Sequence, residues 1–353
     1  MKIVRLAALF AAWSMCGGAW AAPVYDRIVV FGDSLSDAGN VFRITSDLAA
    51  SDPAYKPDPP PTLGSPSFSA YYMGRASNGP NWVDQLADLL GLPRATASLE
   101  GGTNYAYASA RSGAGTNVRF PSPTYPPNPP VTVMRTGAQI DTFAATDAFR
   151  PNDLVTLWVG ANDFRDLLLG QTTISAIVGN IVQEVKTLNA LGARTIVVPN
   201  QVDLGLPPIN AATPFAPLVH TLSIQFDALL AAQLQALMSD PTIFARIVPV
   251  DEYAALAAVF ADPAAFGFTN VTQPVVTFDS STGTFSEVSD PNGYFWFDSI
   301  HPTTKAQTIF AEAAFDVLVP APSSLSLLAP SVLFVIGFAA SRRAAGAKEA
   351  GAN

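Results

Sequence analysis

Cysteine and histidine are scarce: the 353-residue chain has one cysteine, Cys16, and two histidines, His220 and His301. Cys16 falls in a stretch that reads as a secretory signal peptide. It has the basic start Met1-Lys2-Ile3-Val4-Arg5, the apolar run Leu6 to Trp13 and the small-x-small site Ala19-Trp20-Ala21. Met15 before Cys16 is not the small residue that a lipoprotein cleavage site requires. Cleavage near Ala22 leaves a body with no disulfide and no thiol chemistry. Two histidines without cysteine are too few nitrogen and sulfur ligands for a zinc site. Positive charge is also short, with 19 Lys and Arg against 28 Asp and Glu and a formal charge of −9. Leaving out Lys2 and Arg5, and then the tail from Pro320 with Arg342, Arg343, Lys348 and Glu349, puts the body at −13. That charge repels phosphate backbones and argues against nucleic acid as a partner. The apolar run Leu325 to Ala340 is interrupted by Pro330 and falls short of the ~20 residues of a spanning helix.

What is present is core material. Hydrophobic residues make up 49% of the chain, ample for one large domain or two small ones. No internal repeat is visible. Arg27–Phe31, Leu154–Val159, Arg194–Pro199 and Ile247–Asp251 read as short buried strands, rich in Val, Ile or Leu. Helical patterns at Trp82–Leu90, Ile174–Leu191, Thr213–Met238 and Thr303–Leu318 separate or follow them. Such alternation predicts an α/β fold with a parallel sheet covered on both faces. Asp52–Ser67 and Phe120–Pro130 are proline-rich and read as surface loops at the rim of a pocket. Thr269–Phe295 turns to Thr, Val, Ser and Gly, as in a hairpin or irregular insertion.

The first strand runs directly into Phe31-Gly32-Asp33-Ser34-Leu35-Ser36-Asp37. A strand ending in Gly and a small hydroxyl residue sets that hydroxyl at the carboxyl edge of the sheet, where open α/β sheets carry their chemistry. Ser34 becomes a nucleophile only with a base in reach. His301 lies in Asp298-Ser299-Ile300-His301-Pro302, a carboxylate three residues before the imidazole. Ser34, His301 and Asp298 are therefore candidates for nucleophile, base and orienting acid. His220 shares a helical pattern with Leu218, Leu222 and Ile224 and reads as a helix-face histidine. An oxyanion needs hydrogen-bond donors, and Asn162 in Gly160-Ala161-Asn162-Asp163 follows another buried strand onto the same edge. The bland readings are a helix cap for Ser34, a loop turn for Asn162-Asp163 and core packing for Tyr71-Tyr72 and Phe295-Trp296-Phe297. If partly exposed, the second aromatic cluster flanks His301 and contacts an acyl chain.

The three blocks Gly32-Asp33-Ser34-Leu35-Ser36, Gly160-Ala161-Asn162-Asp163 and Asp298-Ser299-Ile300-His301-Pro302 resemble signatures of the GDSL (SGNH) hydrolases, in the family order. Phe31 to Asn40 and Ser77-Asn78-Gly79-Pro80-Asn81-Trp82-Val83-Asp84 are similar to the larger secreted members, autotransporter esterases and thermolabile-hemolysin lipases. The resemblance spans roughly Val24 to Leu318. It implies a three-layer α/β/α sandwich of flavodoxin-like type with loop insertions. It also implies Ser34 as nucleophile, His301 as base then acid, Asp298 orienting it, and Asn162 with the Ser34 N–H in the oxyanion hole. Asp33, Gly160 and Asp163 would support these blocks, Asp33 and Asp37 by holding the nucleophile loop. Where the family has Asn-x-Ala-x-x-Gly, this chain has Asn104-Tyr105-Ala106-Tyr107-Ala108-Ser109, which makes the Ser109 N–H the remaining donor. Gly102 or Gly113 takes that place if the register differs.

The implied activity is hydrolysis of carboxylic esters through an acyl-enzyme, with no cofactor or metal. A carbohydrate O-deacetylase and an acyltransferase would use the same triad. A non-catalytic envelope or matrix module reusing the fold is the reading from another class. The tail, Pro320-Ala321-Pro322, the apolar run and Arg342-Arg343, resembles a PEP-CTERM sorting tag, with a plain C-terminal anchor as the alternative. The tag implies an exosortase-type processing partner at the inner membrane. The expected organisation is a signal peptide over 1–21, a hydrolase domain over 22–318 and a sorting tail over 319–353, in an exported protein.

Overall fold

The computed structural model describes residues 25–61, 63, 71–119, 128–279 and 281–319. The signal-peptide segment, the sorting tail beyond Val319, and parts of both proline-rich stretches lie outside the described residues.

Strand β1 (Arg27–Gly32) is buried from Ile28 onward, and helix α1 (Asn40–Ser51) follows the loop that carries Ser34. Helix α2 (Trp82–Leu90) begins at a capping box between Asn81 and Asp84 and stops at left-handed Gly91. Strands β2 (Thr116–Arg119) and β3 (Val131–Met134) form an antiparallel pair that leads into α3 (Thr136–Thr146). Then come β4 (Asp153–Trp158), α4 (Asp163–Leu168) and α5 (Ile174–Ala190). Next are β5 (Thr195–Pro199), α6 (Pro208–Ala211), α7 (Ala216–Met238), β6 (Arg246–Val250) and α8 (Glu252–Ala261). The insertion holds β7 (Asn270–Pro274), β8 (Val276–Asp279), β9 (Thr284–Glu287) and β10 (Tyr294–Trp296). Strands β8 and β9 are the expected hairpin, while β10 pairs parallel with β7. Helix α9 (Thr304–Leu318) ends this unit.

The central sheet has the order β1-β4-β5-β6, all parallel. Alternation along its strands divides the core. Val29, Phe31, Val155, Leu157, Ile196 and Val198 face α3, α5 and α7, whose Phe143, Ile181, Val185, Phe226 and Leu230 join them. On the other face the Trp158 ring meets Trp82 of α2 and Phe310 of α9 edge-on, with centroids 5.2 and 5.5 Å apart. Each such ring, wholly buried, contributes about 1.5–3 kcal/mol. The result is the three-layer α/β/α sandwich.

On the open side of β1 no regular strand forms among the described residues. Residues 103–107 run beside it instead: Val30 N donates to Thr103 O (3.0 Å), Tyr105 N to Val30 O (2.8 Å) and Tyr107 N to Gly32 O (3.2 Å). The chain thus leaves β1 toward one side and returns as β4 on the other. The carboxyl end of β1 is a switch point, where the connections diverge and a crevice opens.

Candidate active site

The Ser34 loop is built by close approach and by short polar side chains. A Cβ on Gly32 would stand 2.6 Å from the Trp158 carbonyl, so only glycine lets β1 run this close to β4 there. Gln139 of α3 brackets Gly32, accepting from its N–H and donating to its carbonyl, both at 2.9 Å. Asp37 caps the start of α1, taking the N–H groups of Gly39 and Asn40 at 2.7 Å, and also holds the Ala108 N–H at 2.8 Å. Asn40 and Asn104, both fully buried, stitch the loop to the edge segment. Asn40 Nδ2 donates to the carbonyls of Asn104 and Ala106, and Asn104 Nδ2 to that of Ser36.

On this platform Ser34 Oγ lies 3.0 Å from His301 Nε2. His301 Nδ1 lies 3.0 and 2.9 Å from the two oxygens of Asp298. Asp298 is wholly buried. Burial pushes its pKa up, but the facing His301 charge and bond, with the N–H groups of His301 and Ile300, outweigh that and hold it below the ordinary value. Tyr71 adds a further donor, its hydroxyl 2.7 Å from Asp298 Oδ2. An ionised Asp298 requires the proton of a neutral His301 on Nδ1, which leaves Nε2 free to accept from Ser34.

The other wall carries the expected donors. Ser109 has φ 68°, the left-handed conformation natural to glycine, and lines the same cavity as Ser34, Asn162 and His301. Among the described residues no acceptor takes the N–H of Ser34 or Ser109. Gly102 N instead donates to Ala97 O, and Gly113 N to Glu184. Asn162 Nδ2 points at Ala110 O (3.1 Å) and at Asp33 Oδ2 (3.3 Å). Burial pushes Asp33 up to about 7, against the Leu35 N–H and His301, with the Asp163 charge adding to the rise. Asp163 faces Ser112 rather than the cavity, taking its N–H and hydroxyl, and burial raises it to about 6. Gly160 has φ 129°, and a Cβ there would press on Phe226 and Gln201. Its backbone makes the turn that delivers Asn162.

The cavity has a volume of about 700 Å³. Leu35, Phe164, Leu168, Val202, Leu204 and Ile209 supply apolar wall, and Trp296 from the aromatic cluster lines it beside His301. Phe295 and Phe297 are core. Arg119, paired with Asp58, and Arg111, 2.8 Å from Asp166, bring charge to the wall already matched by carboxylates. His220 stands apart, bound through Nδ1 to Asp203 at 2.5 Å. Among the described residues no cluster of three or more His, Cys, Asp or Glu suits a metal ion, and no helix is long and apolar enough to cross a membrane. Sequence reasoning missed Tyr71 as a partner of Asp298, and the Asn40–Asn104 stitches. An aromatic pair read as core gives no sign of a hydroxyl contact 227 residues away.

The chain is similar to phosphatidylcholine-sterol acyltransferase of Aeromonas hydrophila, 29% identical over 250 residues, 70% of this chain and 64% of the relative. It is 28% identical to esterase EstA of Pseudomonas aeruginosa over 361 residues, 93% of this chain and 52% of the relative. The chain thus spans about half to two thirds of the length of these relatives. Among solved structures, an acetylxylan esterase from Geobacillus stearothermophilus, Axe2, aligns with 85% of this chain and 97% of its own, at TM-score 0.42 and 13% identity. The model of the GDSL-like lipase/acylhydrolase family matches residues 28–314, a range holding every candidate site residue described above, and the chain belongs to that family.

Proposed function

We propose that this protein is a serine hydrolase that cleaves carboxylic esters bearing an apolar acyl chain. The observation that carries the reading is the hydrogen-bonded series Ser34–His301–Asp298 opening into an apolar cavity. His301 Nε2 takes the proton of Ser34 as its Oγ attacks the ester carbonyl. Asp298, kept ionised, stabilises the imidazolium. The oxyanion is met by the N–H groups of Ser34 and Ser109 and by Asn162, whose longer bond to Asp33 yields to the stronger acceptor. His301 then gives its proton to the leaving alkoxide, which departs as the alcohol and leaves an acyl-Ser34. Water, deprotonated by His301, attacks that acyl group. The acid leaves, and the proton returns to Ser34. Every step uses groups of this chain and water.

The test is hydrolysis of p-nitrophenyl esters from acetyl to palmitoyl, with Ser34→Ala beside the parent. Loss in the variant and an optimum beyond acetyl are expected. Equal rates in both would overturn the reading, and an acetyl optimum would move it to an O-deacetylase. The name of the Aeromonas relative favours one second reading, acyl transfer to an alcohol. It would appear as ester formation from the same acyl-Ser34 when an alcohol competes with water.

The protein is further proposed to be exported, with residues 1–21 removed, 22–318 as the catalytic domain and 319–353 processed as a sorting tail by an exosortase-type enzyme. Mass analysis of the mature protein tests both ends: a mature start near Ala22 and loss of the Arg342-Arg343 peptide are expected, and an intact chain would refute both.

A further inference from the structure

We infer that the mouth of the Ser34 cavity is a docking face for a net-neutral lipid surface, so that ester substrate is drawn from that surface rather than from solution. The inference rests on the proposed esterase reading. Single exposed apolar side chains are ordinary on a protein surface, whereas a cluster around a cavity is not. Here exposed large apolar residues of three separate segments either line the cavity or lie within one helical turn of a residue that does. Leu168 and Leu169, at the end of α4, line the cavity and are exposed, Leu169 by 59%. Phe215, 60% exposed, caps the start of α7 one turn before Val219, which lines the cavity; Leu218 beside it is exposed too. Met73 precedes the cavity-lining Gly74 and is the most open of the five, at 70%.

Met73 carries a second sign. It is held at φ 47°, a left-handed conformation costly for a side chain of this kind. The Arg75 guanidinium, itself locked onto Asp84, binds the Met73 carbonyl at 3.2 Å and braces the turn. A braced, strained backbone that holds an apolar side chain in water beside a substrate cavity gains when that side chain enters an apolar phase.

Charge selects the partner. The body between the terminal segments carries a formal −13, so an anionic surface repels it. Apolar insertion without electrostatic attraction suits zwitterionic or uncharged lipid. Phe244, 74% exposed, lies just before the start of β6, at the amino ends of the strands and away from the mouth. It serves as the control.

Two measurements on the full chain test the inference. In the first, hydrogen exchange of Ser34→Ala is followed with vesicles of dioleoylphosphatidylcholine or of dioleoylphosphatidylglycerol. Slowed exchange at residues 72–74, 165–170 and 213–219 with the first vesicle is expected, whatever the tail does. No slowing at these segments, or slowing only with the anionic vesicle, would overturn it. In the second, Met73→Asn/Phe215→Ser/Leu218→Ser is compared with the parent on p-nitrophenyl acetate in solution and on a long-chain fluorogenic ester carried in phosphatidylcholine vesicles. The vesicle rate should fall about tenfold or more while the solution rate holds within about twofold. Phe244→Ser should change neither. A triple variant as fast as the parent on vesicles would refute docking. If the parent itself fails on p-nitrophenyl acetate, the esterase reading fails, and the exchange measurement still decides the docking face.

Discussion

His301 and His220 stand in two regions built from the same residue types. Each imidazole is bound through Nδ1 to an aspartate, at 2.9 Å from Asp298 and 2.5 Å from Asp203. Each region also has a tyrosine hydroxyl, Tyr71 on the Asp298 carboxylate and Tyr253 at 3.5 Å from His220 Nδ1. The differences lie in burial and in what the second ring nitrogen meets. The His301 side chain is 9% exposed and its Nε2 faces Ser34; the His220 side chain is 49% exposed and holds a surface turn to α7. An aspartate–histidine pair is thus a common structural clasp. Only the pair whose carboxylate is dry and locked sets its far nitrogen against an alcohol.

The sharpest way to break this contrast is to remove the imidazoles one at a time. His301→Ala and Ser34→Ala should each lower kcat on a short ester about 10⁴-fold or more, while His220→Ala stays within about threefold. Comparable losses at both histidines would end the distinction. Next are the aspartates. Asp298→Asn should cost about 10²–10⁴-fold in kcat, and Asp203→Asn little. The Asp298 substitution also carries a pH signature. A carboxyl held below its ordinary pKa stabilises the fold above the ordinary carboxylate range, and loses that contribution as pH falls through its folded pKa. The Tm gap between parent and Asp298→Asn should therefore narrow from pH 7 toward pH 3; a gap that widens in acid would contradict the assigned ionisation.

The tyrosines come third. Tyr71→Phe should lower kcat/KM about tenfold, since the Asp298 carboxylate loses a hydrogen bond that fixes it. Tyr253→Phe should leave it unchanged. The smallest effect concerns the backbone donor on the catalytic side. Ser109→Gly removes a left-handed serine and should raise stability by about 0.5–1 kcal/mol in denaturant melts with activity kept. Loss of activity there would give the Ser109 side chain a role beyond its N–H.

How much of this was legible in the sequence follows from how local each signal is. β1, β4, β5 and β6 are short apolar runs, and Asp298 and His301 are three residues apart, so both the sheet and the pairing are written in neighbouring positions. Helix α3 leaves only a weak periodic signal because its buried face includes Thr136 and Gln139 beside Ile140 and Phe143, which breaks the apolar stripe. Gln139 is nonetheless the residue that brackets Gly32 from both sides. The Tyr71 contact and the Asn40–Asn104 stitches are long-range. Periodicity carries no trace of them. Ser109 was readable as a displaced glycine, but its left-handed backbone became visible only in three dimensions.

The 3.0 Å contact between Ser34 and His301 joins positions 267 residues apart in the chain. During synthesis Ser34 emerges 267 residues before His301. At about 5–20 residues per second the interval is roughly 15–50 s. For all of that time the growing polypeptide holds an alcohol with no base. The contact between the two side chains can therefore form only once the segment carrying His301 has been made.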